Sequence, residues 1–166
     1  ISRLKKGAFQ IYTGEGKGKS TASMGLMLRA LGCGFHVHYV RMMKPRWKTG
    51  ELSICPTLHP NLTYRNVEQD WILSRSKHIP EHVEAMRTAL AIELDSIQRI
   101  LASTQHDLVI IDEINYCIHR ELIPLQRAID LVVGGEEPAT ERDDGAASRP
   151  FRLDGRPSGP CGDGGM

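Results

Sequence analysis

The chain has 166 residues, a length that predicts one α/β domain with a core of its own. Its 21 Lys and Arg nearly balance its 20 Asp and Glu, which removes any electrostatic case for nucleic acid or an anionic membrane. No run approaches a membrane span and the start lacks the apolar core of a signal peptide, so a cytoplasmic location is expected. The first residue is Ile1, which places the expected translational start upstream. Cys33, Cys55, Cys117 and Cys161 are scattered, without the paired spacing of zinc or redox sites, and read as reduced thiols.

The first predicted element is a short strand, Ala8-Phe9-Gln10-Ile11-Tyr12. It runs into Thr13-Gly14-Glu15-Gly16-Lys17-Gly18-Lys19-Ser20-Thr21, and a helical pattern begins near Thr21. Strand, glycine-rich loop and helix in that order make a phosphate site. Glycine accepts positive φ, so backbone N–H groups can turn inward toward an anion. Lys19 would reach the outer phosphates and the Ser20 hydroxyl would sit on Mg²⁺. The loop is one residue shorter than the common pattern, which puts four residues before Gly-Lys-Ser/Thr, and Thr13 stands where a glycine is usual.

The helix carries Met24, Met27, Leu28 and Leu31 at helical spacing, with Gly32 as its expected stop. Gly25 inside it costs about 1 kcal/mol relative to alanine, unless close packing requires it. A second strand is expected over Phe35 to Met43, with Val37, Tyr39 and Arg41 on one face. His36, His38 and Val40 take the other; two histidines without a third ligand read as structural. Pro80 to Ser103 is the clearest helix, with Val83, Met86, Leu90, Leu94, Ile97 and Leu101 in one stripe and Glu84, Arg87, Glu93 and Arg99 between them. Pro80 suits its first turn.

Asp107 to Ile111 is a continuous apolar run after its first residue, the pattern of a central parallel strand buried on both faces. It ends in Asp112-Glu113, at the carboxyl end of a strand, where ligands of open α/β sheets gather. With a phosphate loop upstream, this acidic pair is the expected Mg²⁺ partner, and Ser20, Asp112 and Glu113 form the expected metal set.

Three motifs together resemble the ATP:corrinoid adenosyltransferases. The short loop Thr13 to Thr21 has that family's form, with Ser20 for the usual threonine. Asp107 to Asn115 is similar to its strand-and-acid segment, and Leu122-Ile123-Pro124-Leu125 with the helix to Val133 follows suit. Val40 to Glu51 matches a third stretch, although Arg41 replaces a glutamine and Pro45 a glycine. The resemblance covers about residues 7–133.

It implies a RecA-like P-loop fold, α/β with a mostly parallel sheet. It also implies transfer of the 5′-deoxyadenosyl group of ATP to the Co(I) of a reduced corrinoid, with triphosphate released. The implied partners are ATP, Mg²⁺, the corrinoid and an external flavin-type reductant, and the family is commonly a homodimer. Residues 13–21 would hold ATP, with Lys19 and Glu113 as catalytic residues; Lys44, Trp47, Trp71 and Asn115 are candidates for corrinoid contact. Two other readings are a non-catalytic nucleotide-binding remnant and a different P-loop kinase or ATPase. A kinase needs an acceptor-site base and usually a phosphate-clamping arginine, neither of which has an evident position.

Residues 134–166 change character: Gly, Pro, Asp and Arg crowd out the aliphatics, a composition that favours disorder. The family continues here with a strand ending in Thr-Gly-Arg and a helix, and both are missing as written. Moving the reading frame forward one base lets Glu141 to Ala147 encode Asn-Val-Met-Thr-Gly-Arg, and Ser158 to Gly164 encode Asp-Leu-Val-Glu-Met. A frameshifted or mis-assembled C-terminus following a domain of residues 1–133 is therefore the expectation, with a natural Gly/Pro-rich disordered tail as the alternative.

Overall fold

The computed structural model describes residues 7–43, 50–67 and 79–134. Chain order is α1 (Lys19–Gly32), β1 (Val37–Arg41), α2 (Gly50–Ile54), a 3₁₀ turn (Cys55–Thr57) and β2 (Leu62–Asn66). Then come α3 (Pro80–Ser103), β3 (Leu108–Asp112), α4 (Ile114–His119) and α5 (Leu125–Val133). The strands form a parallel three-stranded sheet in the order β2-β1-β3. Val37 is in register with Leu62 and Leu108, and Arg41 with Asn66 and Asp112. All three strands therefore end level, and their carboxyl ends make one rim.

Alternation along β1 divides the core in two. Val37 and Tyr39 turn toward α1 and pack with Met27, Leu31, Cys55 and Ile110. Val40 turns the other way, onto Met86, Leu90, Leu94 and Ile97 of α3. Helices on both faces are what a parallel sheet requires. β1 is buried at every residue, as a central strand should be.

α3 has the predicted bounds, with Pro80 in its first turn; the predicted stripe is buried at Met86, Leu90, Leu94 and Ile97 and partly buried at Val83 and Leu101. Glu93, one of the residues between the stripe positions, is 3% exposed and accepts a hydrogen bond from Arg65 Nε at 2.9 Å. A buried carboxylate is tolerated when a cation meets it, and β2 supplies one.

Three expectations are corrected. Residues 8–12 are irregular rather than a strand, with Phe9 and Ile11 more than three-fifths exposed. A strand needs a ladder partner, and this segment pairs with none of the described strands. β3 is consequently an edge among the described residues, and it is only partly buried, so β1 takes the central place expected of β3. α1 ends at Gly32 as expected, but the left-handed residue that stops it lies two residues further on. Gly34 has φ +80°, its N–H bonds Leu31 O at 2.9 Å, and Phe35 N–H bonds Ala30 O at 3.0 Å. That pair of bonds is a Schellman motif, which needs a left-handed residue at the position Gly34 occupies.

Candidate functional site

The loop before α1 is shaped by two glycines in the left-handed region, Gly14 at φ +119° and Gly18 at φ +109°. A Cβ at either would meet nothing within 4 Å, so conformation rather than space calls for glycine. Gly18 is the N-cap of α1, a 14-residue helix whose first turn carries no side-chain cap, so the positive end of its dipole faces the loop. Lys19 Nζ folds over the loop and donates to the carbonyls of Gly14 at 2.6 Å and Gly16 at 2.7 Å. An ammonium has three donors, so one N–H remains beyond these two bonds. Thr13, Glu15, Lys17 and Thr21 are exposed around it.

The second motif arrives from 92 residues away. Ser20 Oγ donates to Asp112 Oδ1 at 3.2 Å, joining the first turn of α1 to the last residue of β3. Asp112 Oδ2 accepts from Tyr39 Oη at 3.4 Å, and Tyr39 Oη lies 3.2 Å from Ser23 Oγ. Burial raises the Tyr39 phenol above its ordinary range; the Ser23 bond opposes this, and the Asp112 charge adds to it. The phenol therefore stays protonated and acts as a donor.

Glu113 follows at φ 70°, a left-handed conformation unusual for a residue with a side chain. It is the N-cap of α4. Met43, just past β1, is also left-handed at φ 55°. Two such residues at the ends of adjacent strands mark this rim as the place where local conformation yields to something else. Asn115 lies exposed on α4. Lys44, Trp47 and Trp71 lie outside the described residues.

The arrangement fits a small divalent cation carried by a polyphosphate. Ser20 Oγ and Asp112 Oδ1 are hard oxygens side by side at the mouth of the loop. Among the described residues no group of three or more His, Cys, Asp or Glu could hold a metal alone. Mg²⁺ needs no such cage, since it keeps waters and takes phosphate oxygens with one or two protein ligands.

Comparison with known proteins decides the lineage. The sequence profile described as ATP:corrinoid adenosyltransferase BtuR/CobO/CobP matches residues 5–141. The chain belongs to this family. Its relatives include corrinoid adenosyltransferase CobA of Salmonella typhimurium, 30% identical over 125 residues. The corrinoid adenosyltransferases of Escherichia coli K12 and Pseudomonas aeruginosa are 29% identical over 125 residues and 26% over 131. These alignments take in 75–77% of the chain but only 60–61% of each relative. The chain thus spans about three-fifths of the length of the adenosyltransferases it matches. No helix among its described residues is long and apolar enough to cross a membrane.

Two parts of the site were not read from the sequence. Tyr39 and Ser23 became visible only once α1 lay across β1 and β3. Arg41, 1% exposed, reaches Glu51 of α2 at 3.5 Å and so ties α2 to the carboxyl end of β1. Alternation had placed Tyr39 and Arg41 on one face, but periodicity does not say which helix covers that face.

Proposed function

We propose that the chain is an ATP:corrinoid adenosyltransferase whose ATP lies on the loop of residues 13–21. The observation that carries this reading is the 3.2 Å contact between Ser20 and Asp112, which brings the loop and the acidic strand end together. Family membership supplies the reaction class.

In this reading the loop amides, Lys17 and Lys19 receive the triphosphate, and Ser20 with Asp112 or Glu113 holds its Mg²⁺. The cation neutralises charge on the phosphate oxygens. Cobalt, reduced to Co(I) by an external flavin-type donor, attacks C5′ of the ribose. A Co–C bond forms, the C5′–O bond breaks, and triphosphate leaves with the electron pair. No nucleophile from the protein is needed. What the chain provides is charge placed in advance where the leaving group becomes more anionic, together with alignment of the two reactants. Asn115, Lys44, Trp47 and Trp71 are the proposed corrinoid contacts.

The reaction is tested with ATP, Mg²⁺ and chemically reduced cobalamin. Light-sensitive adenosylcobalamin and stoichiometric triphosphate are expected. ADP and phosphate without a new Co–C bond would refute the assignment in favour of a P-loop kinase or ATPase.

A second reading, a nucleotide-binding remnant without turnover, is favoured by one observation. The segment entering the loop is irregular and exposed, and β3 is an edge strand among the described residues. In that reading the frameshift removed the strand and helix that complete the sheet, and ATP binds without adenosyl transfer. The coding DNA tests it: a downstream frame lacking Thr-Gly-Arg refutes the frameshift.

A further inference from the structure

Asp112 meets Ser20 through one oxygen, so the direction of its carboxylate matters. Its other oxygen is engaged from β1. Tyr39 is in register with Ile110, two residues before Asp112 and on the same face of the sheet. The length of the phenol carries Oη up that face to 3.4 Å from Asp112 Oδ2. The ring itself is fully buried, and it stacks on Tyr64 of β2 with centroids 5.6 Å apart and planes 22° apart. From α1, Ser23 Oγ stands 3.2 Å from Oη and donates to Ser20 O at 2.9 Å.

These contacts close a ring from Ser20 Oγ through Asp112, Tyr39 and Ser23 back to the Ser20 carbonyl, joining α1, β1 and β3. Tyr39 has one proton and two nearby acceptors. The carboxylate is the charged one and makes the stronger bond. Ser23 then divides its own proton between Ser20 O and the phenol oxygen.

We infer that Tyr39 is a positioning residue, which holds Asp112 Oδ2 so that Oδ1 is presented to Ser20 and to the Mg²⁺ of bound ATP. The inference rests on the nucleotide site proposed above and adds a residue to it. Tyr39 touches neither ATP nor metal; it acts through Asp112.

The test is Tyr39→Phe, which deletes one oxygen and keeps the buried ring. Calorimetry measures ATP binding across a Mg²⁺ series, and electron paramagnetic resonance of Mn²⁺ in place of Mg²⁺ counts bound metal. In Tyr39→Phe the metal concentration giving half of the metal-dependent ATP binding should rise about five- to tenfold, the effect of losing one bond to a charged acceptor at long range. Affinity for metal-free ATP should stay within about twofold, since no phosphate contact is lost. Ser23→Ala should shift the same midpoint in the same direction by roughly two- to threefold, because it loosens the phenol without removing it.

An unchanged midpoint in Tyr39→Phe, with a raised one in Asp112→Asn, overturns the role of Tyr39 and leaves the metal site standing. Equal losses with and without metal in Tyr39→Phe also overturn it, because they indicate general loosening of the core. If the wild-type chain binds ATP equally well with and without Mg²⁺, the metal site fails and the inference fails with it.

Discussion

Replacing Lys19 by alanine separates the two things its ammonium does. In the structure Nζ bridges the Gly14 and Gly16 carbonyls at 2.6 and 2.7 Å. Both glycines are exposed, so water replaces the lost donor. Surface changes of this kind alter stability by about 0.5 kcal/mol or less. For a domain of this size that is a shift of roughly 1–2 °C in Tm. ATP binding should respond quite differently. One hydrogen bond to a charged group contributes about 1.5–3 kcal/mol, which at 1.4 kcal/mol per decade is roughly a 10- to 150-fold rise in Kd. Calorimetry with ATP and Mg²⁺, beside a thermal melt of the same preparation, reads both quantities. Affinity within about twofold of wild type would mean that the loop does not hold the phosphates. A fall in Tm of many degrees would mean instead that Lys19 holds the loop in shape for the fold as a whole.

Gly25→Ala should stabilise the chain by about 0.5–1 kcal/mol and raise Tm by roughly 1–4 °C, because a Cβ there meets nothing within 4 Å; a lower Tm in a melt would contradict this. Removing both carboxylates in Asp112→Asn/Glu113→Gln should weaken Mg·ATP much more than metal-free ATP, and equal losses by calorimetry would count against metal coordination. Stability should fall on acidification below pH 6.5. Burial, then His106, lowers the His38 pKa from its ordinary 6.5, with Arg65 adding to this and Glu93 opposing it. The unfolded chain therefore takes up a proton near 6.5 that the folded chain resists, so stability is fully present above that pH and is lost as pH falls below it. The slope from one proton is at most about 1.4 kcal/mol per pH unit. Denaturant melts of His38→Phe should show a flatter acid limb, and an unchanged limb would assign the loss to other groups.

What was legible in the sequence was whatever depends on local chemistry. The stripe from Val83 to Leu101 defined α3 to its terminal residues, because a 24-residue amphipathic pattern leaves little freedom. The loop glycines and the Asp112 position could be read because phosphate loops and acidic strand ends have fixed local form. β2 was missed, although Leu62, Tyr64 and Asn66 alternate with more exposed Thr63 and Arg65. Five residues after Pro60-Asn61 are a weak signal until β1 offers a partner. The strand expected at residues 8–12 shows the converse. Its apolar residues suit a strand, but pairing is a property of the sheet, and alternation within one segment does not report whether a partner exists. The burial of Glu93 was not legible because its partner, Arg65, is 28 residues away on another element. Tyr39 could not be linked to Asp112 for the same reason, since that contact is 73 residues apart in the chain.

Among the described residues, the two-sided core leaves one sealed thiol on each side of the sheet. Cys55 packs with Met27, Leu31 and Tyr39 under α1, and Cys117 with Leu90, Leu94 and Ile97 under α3. Burial raises the Cys55 pKa, and burial with the nearby Glu113 pushes Cys117 up to about 12. Neither presents thiolate to a reagent at neutral pH, so each reacts only when its own side opens. Cys33 is partly exposed at the end of α1 and reacts without that delay. Alkylation at Cys55 and Cys117, followed peptide by peptide, therefore times the parting of each helical layer from the sheet separately. A ligand seated on the loop of α1 would slow the Cys55 clock before it slowed the Cys117 clock.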